Sequence, residues 1–324
     1  MPPIRCLVTG CAGFVGSHLC EKLLAMGASV VGVDNFFSGH RRNMALFADH
    51  PGFLFYETCI TATGELADIL ALHAPVQICF HLAAVVSVAW SMEHPDWTMQ
   101  VNYQASERLH AVCREKGLGA FVFAGSAAEY GETGLAAIKE EAAGPDTVQA
   151  SPYGRAKYLT SHLVEHSGFG ASLRCFNIYG PRQDPGSPYS GVISRFCRQA
   201  LADEPIMIFG DGGQTRDFIY VADVVDAYLL AAGLAGLHTT PLRGVFNVGR
   251  GSAISILELA GIVAGVAGSH IAPRFLPPRP GDIRHSLADV SRLAGATGFA
   301  PQVGIEQGLA ATVEWMRSEA TVQG

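Results

Sequence analysis

Ile4-Arg5-Cys6-Leu7-Val8-Thr9-Gly10-Cys11-Ala12-Gly13-Phe14-Val15-Gly16 joins a short apolar run to a turn with glycine at every third position, and a helical pattern follows through His18 to Met26. Glycine is needed where backbone turns tightly or presses against a phosphate oxygen. Gly10, Gly13 and Gly16 fall between strand and helix, so the helix N-terminus can aim free N–H groups at a pyrophosphate. A second apolar run, Ser29 to Val33, ends at Asp34, 18 residues past Gly16. A carboxylate there accepts both ribose hydroxyls and repels a 2′-phosphate, which predicts a site for NAD over NADP. A glycine turn that merely caps a helix is the plainer alternative; the strand before, the helix after and Asp34 weigh against it.

Working outward, Phe53 to Tyr56, Val76 to Leu82, Ala120 to Ala124 and Ala171 to Phe176 are further apolar runs with little alternation, as in parallel strands buried on both faces. Helical stretches at Glu65 to Leu72, Asp96 to Lys116 and Pro152 to His166 lie between them. This alternation predicts an α/β chain with a doubly wound parallel sheet, a Rossmann domain over residues 1–180. Beyond, the texture shifts to Pro, Gly and Ser at Gln183 to Ser190, and Pro273 to Gly281 holds four prolines. Shorter elements are expected there: helices at Gly191 to Leu201 and Ala222 to Ala232, strands at Ile206 to Phe209 and Val245 to Val248. Residues 181–324 are accordingly read as a smaller C-terminal α/β substrate-binding lobe, from which some segments can return to the first domain.

Tyr153-Gly154-Arg155-Ala156-Lys157 puts a phenol and an ammonium on one face of a helix. A tyrosine pKa of about 10 makes a poor base at neutral pH. A nearby ammonium and a positive nicotinamide ring favour the phenolate and bring it toward neutrality. Ser151-Pro152 supplies an N-cap and a first-turn proline. Ser126 follows Phe121 to Gly125 at a carboxyl end of the sheet, placed to donate to a substrate hydroxyl or a developing keto oxygen. An exposed amphipathic helix and a turn serine are the bland readings of these residues taken singly.

Of 324 residues, 49% are hydrophobic and 16% charged, which describes a well-buried globule rather than a disordered chain. A net charge of −7 argues against nucleic acid. The one basic knot, His40-Arg41-Arg42, reads as a solvated loop, with contact to cofactor phosphate or ribose as the alternative. The eight cysteines form no C-x-x-C and no metal-ligand spacing, so no metal is expected and they read as small buried hydrophobes in a reducing compartment. No uncharged apolar run is long enough to span a bilayer, and the first strand begins too early for a signal peptide. The expectation is a cytoplasmic protein without membrane contact.

Taken together, these residues resemble the extended short-chain dehydrogenase/reductase family, and within it the NAD-dependent nucleotide-sugar epimerases. The resemblance extends through Val33-Asp34-Asn35, His81-Leu82-Ala83-Ala84, Ser126-x-x-x-Tyr130-Gly131, Leu173-Arg174-Cys175-Phe176-Asn177, Gly210-Asp211-Gly212-Gly213-Gln214-Thr215-Arg216-Asp217-Phe218 and Arg279-Pro280-Gly281-Asp282. It implies Tyr153, Lys157 and Ser126 as catalytic residues. Bound NAD would meet Gly10, Gly13, Phe14, Val15, Gly16, Asp34, Asn35, Ser38, Gly39, Leu82, Ala83, Ala84, Tyr153 and Lys157. A UDP-sugar would meet Ser126, a diphosphate clamp of Asn177, Arg216 and Arg279 with Asp282 close by, Phe209 against uracil, and Ser286 beside the 2-substituent of the sugar. Outside its motif, an ion pair with Asp217 is the plainer reading of Arg216.

The resemblance further implies 4-epimerisation of a UDP-hexose, N-acetylated or not, through a transient 4-keto sugar, in a homodimer packed through the Asp96–Lys116 and Pro152–His166 helices. Related 4,6-dehydratases and decarboxylases place an acid two residues before the tyrosine of the serine loop, and dehydratases often a second before that. This chain has Ala127 and Ala128, with Glu129 one place nearer Tyr130 and expected to point elsewhere from an extended turn. A non-catalytic NAD-sensing regulator is the remaining alternative. Three departures stand out: Cys59 in place of an adenine-binding aspartate, Cys175 in place of a tyrosine near the nicotinamide, and Val86 where some epimerases carry a lysine.

Overall fold

The computed structural model describes residues 3–184, 191–236, 239–279 and 283–323, with the backbone alone for 320–323. In chain order its strands are β1 (Arg5–Thr9), β2 (Ser29–Asp34), β3 (Phe53–Glu57), β4 (Ile78–His81), β5 (Ala120–Ser126), β6 (Ala171–Cys175), β7 (Asn177–Tyr179), β8 (Met207–Phe209), β9 (Thr215–Tyr220), β10 (Gly244–Val248), β11 (Ala253–Ser255), β12 (Arg274–Leu276) and β13 (His285–Ser286). Seven form one parallel sheet in the order β10-β6-β5-β4-β1-β2-β3. The chain leaves β1 toward β2 and β3, then crosses to β4 on the other side. This reversal opens a crevice at the carboxyl ends of β1 and β4, where doubly wound sheets bind ligands.

The unalternated strands are explained by apolar cores on both faces. On one, Leu19, Cys20 and Leu23 of helix Phe14–Ala25 and Val224, Val225 and Tyr228 of helix Val221–Ala231 pack with Val8, Phe80 and Val122. On the other, Leu66, Ile69 and Leu109 pack with Leu7, Val31, Phe121 and Phe123. Each such side chain fully buried stabilises the fold by about 1.5–3 kcal/mol.

Past β6 a second set of strands is assembled. β9 pairs with β7, β11 and β13, and β8 pairs with β12. A third core of Phe196, Ile208, Phe218, Leu259, Val263 and Val313 joins these strands to helices Val192–Leu201, Ile256–Ala267 and Ile305–Gln323. The last two helices carry no expectation from sequence.

The stretch expected as one helix, Asp96 to Lys116, is a short helix Pro95–Met99, a wide π turn Gln100–Ala105 and a helix Ser106–Glu115. Asn102 sits in the wide turn. Its side-chain amide donates to the Val85 carbonyl at 2.8 Å and its oxygen accepts from the Val85 N–H at 2.7 Å. Its own carbonyl accepts from the Ser106 and Thr160 hydroxyls, so side chains from this stretch and from helix Pro152–His166 meet at the widened turn. Seven cysteines are buried and Cys59 is half-buried; all eight are free.

Candidate active site

A cavity of about 850 Å³ runs along the carboxyl ends of β1, β2 and β4. At one end lie Asp34, Asn35, Thr58 and Cys59; at the other, Tyr153, Lys157, Cys175 and Tyr228. Gly10, Gly13, Phe14, Val15, Gly16, Ser38, Gly39, Leu82, Ala83 and Ala84 line it between, so the chain brings together every residue expected at the cofactor.

The glycines are there for separate reasons. Gly10 has φ 74°, and a Cβ on it would lie 2.8 Å from the Ala83 nitrogen. A Cβ on Gly16 would lie 2.0 Å from the Gly10 carbonyl oxygen, so helix and turn can close only without a side chain. Helix Phe14–Ala25 starts at the turn itself, four residues before the apolar pattern suggests, with Gly13 as N-cap. Its first-turn N–H groups have no acceptor inside the helix.

Asp34 is buried, with one carboxylate oxygen accepting from the Ala12 N–H (3.0 Å) and the other from the Phe36 N–H (2.8 Å). Burial raises its pKa against those hydrogen bonds. The loop after β4 is held by a buried relay in which Thr9 Oγ1 meets His81 Nδ1 at 2.7 Å, His81 Nε2 meets Ser106 Oγ at 2.8 Å, and the Ala83 N–H donates to Thr9 Oγ1 at 3.2 Å. Burial pushes His81 down to about 3, so the ring is neutral. The cavity's size, its glycine cradle and the Asp34 carboxylate on its wall fit a dinucleotide.

Helix Pro152–His166 begins at Ser151, whose hydroxyl accepts from the Gly154 N–H at 3.1 Å. A Cβ on Gly154 would lie 2.5 Å from the Ala128 carbonyl oxygen. This glycine therefore lets the helix press onto the serine loop, which brings Ser126 close enough to the phenol of Tyr153 to act on its proton affinity. Lys157 is buried, donates to the Ala124 carbonyl at 2.7 Å and lies 5.9 Å from the Tyr153 ring centre.

Burial pushes Tyr153 up to about 12, the direction opposite to the pull expected from the ammonium and a nicotinamide ring together, while Ser126 lowers it. Burial also pushes Lys157 down to about 8, with Glu129 pulling the other way. The physical reason is desolvation, which disfavours both charged forms and outweighs their attraction while the ammonium faces Ala124.

Glu129 lies on a 3-10 turn, not an extended one, and is fully buried. Its carboxylate accepts from the Ser126 N–H at 2.8 Å and pairs with Arg174 Nε at 2.5 Å. Arg174 also donates to the Glu140 carbonyl at 2.8 Å. A carboxylate so held braces the serine loop and leaves the reacting face of the cavity without an acid from this turn.

The other expected residues gather around β9. Asn177 on β7 donates to the Asp217 carbonyl at 2.9 Å. Arg216 is the register partner of Ser286 on β13, and it donates to the Thr215 carbonyl at 2.9 Å. Its plainer reading as an ion pair with Asp217 is corrected. Asp217 is buried on the opposite face of the strand, where it accepts from the N–H groups of Arg250, Gly251 and Ala288. Phe209 ends β8 beneath Arg279, whose guanidinium carbon is 3.8 Å from the ring centre. Asp282 lies outside the described residues.

His40 and Arg42 of the basic knot meet Asp184 at 3.1 and 3.6 Å, and Arg41 pairs with Glu57. Sequence reasoning missed Phe37, Trp90, Gln183 and Tyr228 on the cavity wall, and Asn102 and Gly154 behind it. Only the glycine inside Tyr153–Lys157 offered a visible signal, because glycine in a helix interior costs about 1 kcal/mol and is kept for close approach.

Fold and cavity together define a dinucleotide-binding enzyme of the doubly wound class. The chain belongs to the NAD dependent epimerase/dehydratase family, whose model matches residues 6–249. It is 37% identical to the UDP-glucose 4-epimerase of Mycolicibacterium smegmatis over 98% of this chain and 100% of that protein. It is 32% identical to the UDP-N-acetyl-alpha-D-glucosaminuronate decarboxylase of Bacillus cytotoxicus, over 97% and 98%. Among solved structures, the Thermus thermophilus UDP-glucose 4-epimerase complex with NAD superposes with a TM-score of 0.84 at 34% identity, covering 97% of this chain and 99% of that one. The UDP-N-acetylglucosamine 4-epimerase of Methanobrevibacter ruminantium, in complex with UDP-N-acetylmuramic acid, gives 0.89 at 34%, covering 98% and 100%. The cofactor is NAD. Among the described residues no helix is long and apolar enough to cross a membrane.

Proposed function

We propose that this chain interconverts the C4 epimers of a UDP-hexose. The observation that carries the reading is the placement of Tyr153 and Lys157 at one end of the dinucleotide cavity, next to Ser126, whose loop has its one carboxylate, Glu129, locked onto Arg174. Elimination of water from a sugar needs a placed general acid. With alanine at 127 and 128 and Glu129 occupied, this loop offers none.

Bound NAD supplies a reversible hydride acceptor for C4. Tyr153 accepts the proton of the C4 hydroxyl and later returns it. Ser126 holds that oxygen through the change from carbinol to ketone. Lys157 supplies the positive charge that favours the phenolate. Asp34 and the Phe14–Gly16 N–H groups hold the ribose and pyrophosphate of the dinucleotide, while Asn177, Arg216 and Arg279 hold the UDP diphosphate. The 4-keto sugar can then turn over without release. The active species in this reading is a homodimer packed through the 95–115 and 152–166 helices.

The test is an NMR equilibrium assay over UDP-hexoses, N-acetylated, plain and uronate. Epimerisation conserves mass; loss of carbon dioxide or water would replace this reading with decarboxylation or dehydration. Ser286→Tyr is expected to cut turnover of N-acetylated substrates at least about tenfold while sparing plain hexoses. Equal losses on both would remove Ser286 from the specificity site.

A further inference from the structure

Helix Val192–Leu201 runs from the cavity toward the Phe209–Arg279 stack. Gly191, just before it, lines the cavity, and Ser194 donates to Gln183 Oε1 at 2.8 Å, another wall residue. Arg195 is next along, half-buried, and its Nε is fully buried without a hydrogen-bond partner. Arg279 lies close enough for its charge to act on Arg195, and Arg198 adds to the same repulsion. Burial and these two cations lower the Arg195 pKa.

Other arginines of the chain are treated differently. Arg174, Arg182 and Arg284 each sit against a carboxylate. Two guanidiniums brought together with no counter-charge against Arg195 among the described residues oppose folding, and a buried N–H without an acceptor adds to the cost. Both penalties disappear when an anion with several acceptor oxygens occupies the space between them. Arg279 already lies over Phe209, which leaves the in-plane N–H fork of its guanidinium free of the ring.

We propose that Arg195 is a further substrate-binding residue, donating together with Arg279 to the diphosphate of the sugar nucleotide. Two adjoining phosphoryl groups present enough oxygens to satisfy two forks at once, whereas a single carboxylate has two. The inference rests on the reading of Arg279 given above.

The test is calorimetric titration of the purified, NAD-loaded protein with UDP, UMP, a UDP-hexose and a UDP-hexuronate, for the wild type, Arg195→Met and Arg195→Lys. Arg195→Met is expected to weaken UDP and UDP-hexose alike, by about 10- to 100-fold. UMP should lose far less, and Arg195→Lys should recover part of the difference. NAD content and melting temperature should stay at wild-type values, which separates lost binding from lost fold. Unchanged UDP affinity, or an equal loss on UMP, overturns the proposal. A loss confined to the hexuronate overturns it too, by placing Arg195 on a sugar carboxylate. Binding of neither UDP nor a UDP-sugar by the wild type overturns both this proposal and the reading of Arg279, whereas wild-type binding that Arg195→Met leaves unchanged overturns this proposal alone.

Discussion

Tyr153→Phe is expected to lower kcat by about a thousandfold, within the range of a lost general base, while leaving UDP affinity and NAD content within about twofold. The phenol lies on the cavity wall near Ser126, so losing its oxygen takes the proton acceptor and little packing. The pH dependence has a definite sign. Burial raises Tyr153, and deprotonation is needed for turnover, so kcat should rise with pH on a limb that Tyr153→Phe abolishes. Lys157 favours the phenolate only while charged, and burial has lowered it to about 8. Lys157→Met should therefore move the rising limb to higher pH, and in the wild type the help from this cation should fade as pH climbs past that value. Stopped-flow or NMR rates across pH check each point. Turnover that survives at 153 would overthrow the assignment of the base.

Gly16→Ala should be the most damaging glycine-to-alanine change among the described residues. The new carbon would stand 2.0 Å from the Gly10 carbonyl oxygen and 2.8 Å from the Gly10 carbonyl carbon, both backbone atoms with no side-chain rotation to give way. Overpacking of this kind costs roughly 3 kcal/mol. The turn must open, moving the helix N-terminus away from the pyrophosphate we propose it holds. The expected result is a melting temperature lower by several degrees and protein that purifies with less than about a tenth of its NAD. Gly64→Ala is the matched control. Gly64 lies in helix Thr63–Leu72 with nothing within 4 Å of its new carbon, so it should be neutral or gain up to about 1 kcal/mol. Equal behaviour of the two variants would show that the close turn is not what holds the cofactor.

Sequence and structure agree best where the physics is local. The helix expected at Pro152 to His166 has those limits, because its serine cap and first-turn proline lie beside it in the chain. That the residues expected at the cofactor line one cavity follows the same rule, since a glycine turn and a strand-end carboxylate act over a few neighbours. The helix broken at Gln100–Ala105 was not readable: its interruption depends on Val85 and Thr160, from two other elements. Strand β10 lies beside β6 although some 70 residues separate them, a pairing that no periodicity announces.

What the sequence determined by itself was the set of groups available: a glycine turn between strand and helix, a carboxylate at a strand end, and a phenol and an ammonium one helical turn apart. Backbone stereochemistry and helical spacing suffice for these. Only the tertiary structure decided what each group is free to do. Glu129 is captured by Arg174, 45 positions away; Asp217 turns from Arg216 to three backbone N–H groups; Tyr153 and Lys157 are driven from their ordinary proton affinities by burial. Desolvation and the choice of hydrogen-bond partner depend on everything that packs around a group, and distant segments do that packing.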